Sequence, residues 1–201
     1  MTNDAQDGNP PEDWHLWLTA LFDPDETNRA VAAQVLGSSG DPEAIPPLLA
    51  ALDTVVGMVA GGGPVARALV ELRDVWTVEI FAKALTDPRA YVRRAAAEAL
   101  GWLRDPQALE ALVGVLQDEA FGVRLEAAWA LGEIGDPSVL GSLLAMVPDQ
   151  DSNVRRNVAD ALGQLGDPRA REVLLGLLDD EDLGVRAAAE SALKRLIPEA
   201  G

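Results

Sequence analysis

A unit of 31 residues returns along this chain, and nothing else in the sequence constrains the fold as strongly. Asp105-Pro106, Asp136-Pro137 and Asp167-Pro168 recur at that interval, as do Val92-Arg93, Val123-Arg124, Val154-Arg155 and Val185-Arg186. Leu100-Gly101, Leu131-Gly132 and Leu162-Gly163 keep step, and Leu193 continues the row. A fixed period of this size denotes a stacked array, in which each unit buries its apolar face only against its neighbours.

Two helices fit within one period. In "DPQALEALVGVLQD", Leu109, Leu112, Val115 and Leu116 form one stripe at helical spacing. Asp105 is the expected cap, and Pro106 suits the first helical position, where its missing N–H costs nothing. "GVRLEAAWALGEIGDP" supplies the second helix through Val123, Ala127, Ala130, Leu131 and Ile134. Gly135 should end it in the left-handed region. Alanines at 96, 99, 127, 130, 161 and 192 let neighbouring helices approach closely. The expected fold is all-α: a solenoid (superhelix) of about six antiparallel helical hairpins. It forms a single domain over residues 12–201, preceded by a disordered acidic tail at 1–11.

Charge narrows the choice of partners. Sixteen basic residues stand against 33 acidic ones, for a net charge of −17, and residues 1–66 hold one basic side chain, Arg29. Nucleic-acid affinity comes largely from cationic neutralisation of phosphate, so neither nucleic acid nor an anionic membrane is expected as a partner. A neutral or basic protein or peptide suits such a field; the acidity also serves solubility by itself. No apolar run reaches the roughly 20 residues needed to span a bilayer. "MTNDAQDGNPPED" lacks the pattern of a secretory signal, and a cytoplasmic location is expected. The absence of cysteine excludes disulfides, thiolate metal sites and cysteine nucleophiles.

The pattern D-P-x-A…L-x-D-x-x-x-x-V-R-x-x-A-A-x-A-L-G resembles the short HEAT-like repeats of the phycobilin-lyase type, from about Glu12 to Leu196. The family includes scaffolds, bilin lyases, hydroxylases and DNA glycosylases, so the resemblance implies a fold more than a function. It also implies a ladder in which an aspartate of the inter-helix turn and an arginine six residues later bond between neighbours. The pairs here are Asp23 with Arg29, Asp87 with Arg93, Asp118 with Arg124, Asp149 with Arg155, and Asp180 with Arg186. Five such pairs suit a stacking device better than acid–base chemistry.

The ends of the array differ from its middle. Glu190 and Lys194 occupy columns held elsewhere by alanine (97, 128, 159) and glycine (101, 132, 163), which suggests a solvated terminal face. "WHLWLTALF" puts Trp14, Trp17, Leu18, Leu21 and Phe22 on a heavy first helix, with Trp17 in the column of Phe81, Leu112, Leu143 and Leu174. Packing is the expected role of that helix.

The second unit, 41–73, is irregular. It has 33 residues, and Gly61-Gly62 replace the usual valine and arginine, so one rung is missing. Ile45, Leu48, Leu49, Leu52, Val55, Val56 and Val59 continue one helical stripe, which carries the first helix on to about Ala60. Gly61-Gly62-Gly63 then turns, and Pro64 opens a shortened partner. No P-loop lysine follows these glycines, which argues against a phosphate cradle. The overhang at Val55, Val56, Met58 and Val59 is a candidate secondary contact patch, coverable by the N-terminal tail or another protein.

The resemblance also implies that second helices line a concave surface. On them the columns beginning at 94, 95, 98 and 102 vary between units while those between stay apolar or small. Trp102 and Trp129 fall in adjacent units one turn apart in register, with Leu125 a turn from Trp129. Together with Arg94, Glu98, Arg156 and Asp160 they form the candidate partner-binding set, since tryptophan beside arginine typifies a binding hot spot. One ring could instead fill space between repeats.

Catalytic readings find less support. His15 is the lone histidine and leucine follows it, so the His-Glu metal pairs of hydroxylase relatives are absent and no serine–histidine triad can be assembled. Trp102, Trp129, Asp160 and Arg156 match residue types of the glycosylase relatives. Yet the face sets Arg67, Arg94, Arg156 and Arg195 against Glu71, Glu98, Glu126, Glu133 and Asp160, with no net positive field. A non-catalytic protein-interaction scaffold is expected, with no metal or cofactor. Bilin lyase-like handling of a chromophore or client is the alternative.

Overall fold

Asp-Pro starts and glycine stops shape the elements of the computed structural model, which describes residues 14–38, 44, 47–48 and 75–196. The ten described α-helices are α1 (Trp14–Ala20), α2 (Glu26–Ser38), α3 (Val75–Ala84), α4 (Ala90–Leu103), α5 (Leu109–Gly114), α6 (Phe121–Ile134), α7 (Leu140–Leu144), α8 (Ser152–Leu165), α9 (Arg171–Gly176) and α10 (Leu183–Leu196). No strand occurs among the described residues. The chain divides into two compact units, Met1–Thr77 and Val78–Gly201, where the repeat pattern alone suggests one domain over 12–201. The tail at 1–11, the Trp14 side chain, and nearly all of the irregular unit 41–73, including the patch at 55, 56, 58 and 59, lie outside the described residues.

In the first unit α1 packs on α2. Leu21, just past the end of α1, is fully buried with Ala32, Ala33 and Leu36 of α2. Trp17 and Leu18 are half-buried, and Phe22 is exposed.

The second unit is an all-α solenoid of four hairpins. Its long helices stack in order, α4 on α6, α6 on α8 and α8 on α10, and the short helices α5, α7 and α9 each pack on the long helix that follows. Phe81, Leu112, Leu143 and Leu174 of the short-helix row are completely buried, as are Leu100, Leu131 and Leu162 of the long row. The stack is close because the long helices touch through glycine. A methyl group built on Gly163 would lie 2.7 Å from the Cα of Ala192, and one on Gly101 would lie 2.6 Å from Cζ3 of Trp129.

One expectation requires correction. The stretch after each Asp-Pro is not one continuous α-helix. Pro106–Ala108, Pro137–Val139 and Pro168–Ala170 form 3-10 turns ahead of α5, α7 and α9. The aspartate side chain accepts from the amide two residues on, at 2.8 Å for Gln107 and Ser138 and 2.9 Å for Arg169. A bond of that reach favours the tighter turn at a helix start. Gly135 and Gly166 end α6 and α8 at φ 72° and 65°. Arg104 ends α4 in the same column with φ 52°, the one non-glycine in this region among the described residues.

Candidate functional site

The two edges of each long helix carry different chemistry. At one edge lies the aspartate–arginine ladder. Arg93 Nη1 donates to the carbonyl oxygens of Asp87 and Pro88 at 2.8 and 3.1 Å, on its own turn. Its Nε and Nη2 fork onto the carboxylate of Asp118, 25 residues ahead, at 2.6 and 2.8 Å. Arg124 repeats the arrangement on Asp149 at 2.7 and 3.0 Å, and Arg155 on Asp180 at 2.8 and 2.9 Å. Each of these carboxylates also accepts from an amide on its own turn, that of Ala120, Asp151 or Asp182, at 2.9 Å.

The fork therefore joins each arginine to the neighbouring unit. Within a unit the arginine meets the aspartate backbone, and its side-chain partner is the aspartate of the following unit.

Charge stabilisation follows from these contacts. The guanidinium of Arg93 holds Asp118 below the ordinary aspartate value, and Arg155 does the same for Asp180. For Asp149, burial works upward, but the Arg124 fork and the turn amide outweigh it and the net shift is down. The arginines are correspondingly raised, chiefly by their carboxylate partners.

At the margins of this series the arginines have no carboxylate fork to a following unit among the described residues. Arg186 donates to the carbonyls of Asp180 and Glu181 at 2.7 and 3.0 Å, and has no carboxylate fork among the described residues. Arg29 bonds the carbonyls of Asp23 and Pro24 at 2.8 and 2.9 Å, while its buried Nε has no hydrogen-bond partner among the described residues. The Asp87 carboxylate accepts from Arg89, two residues on, through Nε and Nη2 at 2.8 and 2.9 Å.

The opposite edge holds the candidate partner-binding residues. Trp102 is 38% exposed, while Trp129 is half-buried with its ring edge against Gly101, the residue before Trp102. Arg94 donates from Nε and Nη2 to Oε1 of Glu126 at 3.2 and 3.1 Å, and Arg104 pairs with Glu133. Gln164 Nε2 donates to the other oxygen of Glu133 at 3.1 Å. Leu125 and Glu98 are half-buried, and the Leu125 carbonyl accepts from Asn157 Nδ2 at 3.2 Å.

Further along, the face changes character. Arg156 and Arg195 are exposed and Asp160 is half-buried, and none of the three has a hydrogen-bond or ion-pair partner among the described residues. A cavity of about 270 Å³ opens there, lined by Trp129, Asn157, Asp160, Ala161, Gln164 and Arg195. Sequence reasoning named Trp129 and Asp160 as candidates but gave the cavity itself no place. Its walls come from three units at once, through Trp129, the Asn157–Gln164 stretch and Arg195, and no motif within one unit signals it.

Among the described residues no group of three or more His, Asp or Glu side chains is placed to hold a metal ion. No described helix is long and apolar enough to cross a membrane.

Comparison with known proteins bears on this geometry. The model of the family "HEAT repeats" matches residues 64–124 and 114–194, and that of "PBS lyase HEAT-like repeat" matches 29–54. No curated protein matches the chain. Solved structures do. An engineered protein is similar at 24% identity and a TM-score of 0.59, over 92% of this chain and 97% of that one. The complex of CpcE and CpcF of phycocyanin lyase from Nostoc sp. PCC7120 is similar at 26% identity and a TM-score of 0.58, over 98% of this chain and 81% of that one. A designed armadillo repeat protein in complex with the peptide (KR)4 is similar at 17% identity and a TM-score of 0.60, over 93% of this chain and 100% of that one.

Proposed function

We propose a function from one premise: the chain belongs to the HEAT-repeat family, whose model covers residues 64–124 and 114–194. On that fold, which is compatible with a protein-interaction scaffold, the long-helix face from α4 to α10 holds a neutral or basic protein or peptide and performs no chemistry. Trp102, Trp129, Leu125, Arg94, Glu98, Arg156 and Asp160 are its contacts. The observation that carries the reading is the exposure of Trp102, 38%, on a face whose intervening columns are closed by alanine and glycine. A partly exposed indole on a face that also carries arginine has the composition of a contact hot spot.

Affinity capture with the full chain tests it. Trp102→Ala should leave the protein folded by circular dichroism and lose the partner that the unaltered protein retains. Trp129→Ala should lose the partner too, with some loss of stability because its ring packs on Gly101. Equal capture by all three proteins would end the proposal.

A second reading has its own support, the 26% identity to the phycocyanin-lyase complex over 98% of this chain. In that reading the same face handles a bilin or a client protein. Mixing with free bilin would then produce an altered visible absorption band that Trp102→Ala weakens; an unchanged spectrum excludes it. The apolar run Val55, Val56, Met58 and Val59 is kept as a proposed secondary contact patch and weak joint. It is tested by amide hydrogen exchange: protection at 54–66 equal to that of the C-terminal repeats would remove it.

A further inference from the structure

The cavity beside Trp129 has a composition that favours one kind of occupant. At about 270 Å³ it falls just below the roughly 300–1,000 Å³ of sites for whole small molecules. It has room for one long side chain. From α10 the lining residue is Arg195, while the columns of Asn157 and Asp160 are held there by Ala188 and Ser191.

The polar groups on its walls are one carboxylate, two amides, an indole N–H and a guanidinium. Asn157 commits Nδ2 to the Leu125 carbonyl, and Gln164 commits Nε2 to Glu133, which leaves amide oxygens as their uncommitted atoms. Asp160 adds a carboxylate without a hydrogen-bond or ion-pair partner among the described residues. Trp129 supplies an indole wall, and a cation beside an indole face is attracted by its quadrupole. Arg195 is the one cation in the lining; the residue is exposed overall, and its Nη1 lies 3.6 Å from where a methyl on Gly163 would sit. The net charge of −17 on the chain favours the approach of a positive group.

We propose that this cavity seats the cationic side chain of an arginine or lysine from a bound peptide, with Asp160 as counter-ion and Trp129 as its wall. The proposal rests on the peptide-binding reading above and adds its chemistry. Arg195 opposes the bound cation, so its charge lowers the affinity rather than raising it.

The presence of one acid and one base in the lining gives the test a sign. The probes are blocked pentapeptides, glycine on both sides of a central arginine, lysine, citrulline or glutamate. Binding to the full-length ¹⁵N-labelled protein is followed through the Trp129 indole N–H resonance, assigned with Trp129→Phe. The arginine and lysine peptides should shift that resonance saturably, and the uncharged citrulline peptide should bind at least tenfold more weakly. Asp160→Asn should weaken the arginine peptide about tenfold, and Arg195→Gln should tighten it several-fold. Both sites reach solvent, so unchanged thermal midpoints are expected for the two variants.

Equal binding of arginine and citrulline, an unaffected Asp160→Asn variant, or weaker binding after Arg195→Gln would each overturn the proposal. Preference for the glutamate peptide would do so as well. A cavity silent to every peptide, in a protein whose partner is still lost on Trp102→Ala, would sink this assignment and leave the scaffold reading standing.

Discussion

Arg155 and Arg156 are neighbours in sequence on α8 and have opposite lives. Arg155 is buried and binds two carbonyls of its own turn and the carboxylate of the next. Arg156 is exposed, with no hydrogen-bond or ion-pair partner among the described residues. One step along a helix rotates a side chain by about 100°, from the edge that holds the stack together to the face that is open to ligands. The lesson is that residue type carries no role by itself in this chain. Column within the repeat does, and the two edges answer to different pressures: guanidinium forks between consecutive units on one, availability of donors and acceptors on the other.

The comparison can be broken most severely by acid, because that attacks every complete rung together. Asp118, Asp149 and Asp180 have lowered pKa values in the folded protein. Their contribution is therefore fully present above the unfolded value near about pH 3.9 and is lost as pH falls through the lowered folded values. Urea midpoints should drop steeply below about pH 4, and Asp149→Asn should flatten that dependence.

Next in size is a single rung. Arg155→Ala leaves Asp180 about nine-tenths buried without its fork, and a loss on the order of 3 kcal/mol is expected from urea unfolding. Arg156→Ala on the opposite edge should stay within about 0.5 kcal/mol. Equal effects would erase the distinction between the edges.

Glycine sharpens the same contrast on a smaller scale. Gly163→Ala drives a methyl into the α10 backbone and should cost about 1–3 kcal/mol. Gly176→Ala meets nothing within 4 Å and should stabilise α9 by about 0.5–1 kcal/mol. The smallest effect is at Arg104, held at φ 52° where its counterparts are Gly135 and Gly166. Arg104→Gly relieves that backbone at the expense of an ion pair with Glu133, for a net gain below about 1 kcal/mol by thermal melting.

Periodicity made the hairpins, the buried leucine columns and the left-handed Gly135 legible from residues alone, because each depends on spacing within one unit. What was not legible depends on how one unit registers against the next. The fork from Arg93 to Asp118 spans 25 residues, and the face contacts Arg94–Glu126 and Asn157–Leu125 span 32. A search for complementary pairs one period apart, give or take a residue, would have found the face contacts. The cavity needed the same kind of look across units, since Trp129, Asp160 and Arg195 come from three different repeats. The 3-10 starts were hidden by a local competition between an aspartate side chain and the α-helical bond pattern.

The guanidinium fork has a mechanical corollary. Each complete rung fastens one turn to the turn directly after it and to nothing more distant, so a tension applied at the two ends of residues 87–186 meets the fasteners in series. Such a chain should lengthen in discrete steps of one hairpin, each about 31 residues of released backbone, giving a sawtooth in force spectroscopy with one tooth per unit. It would behave as a row of separate latches and not as one lock.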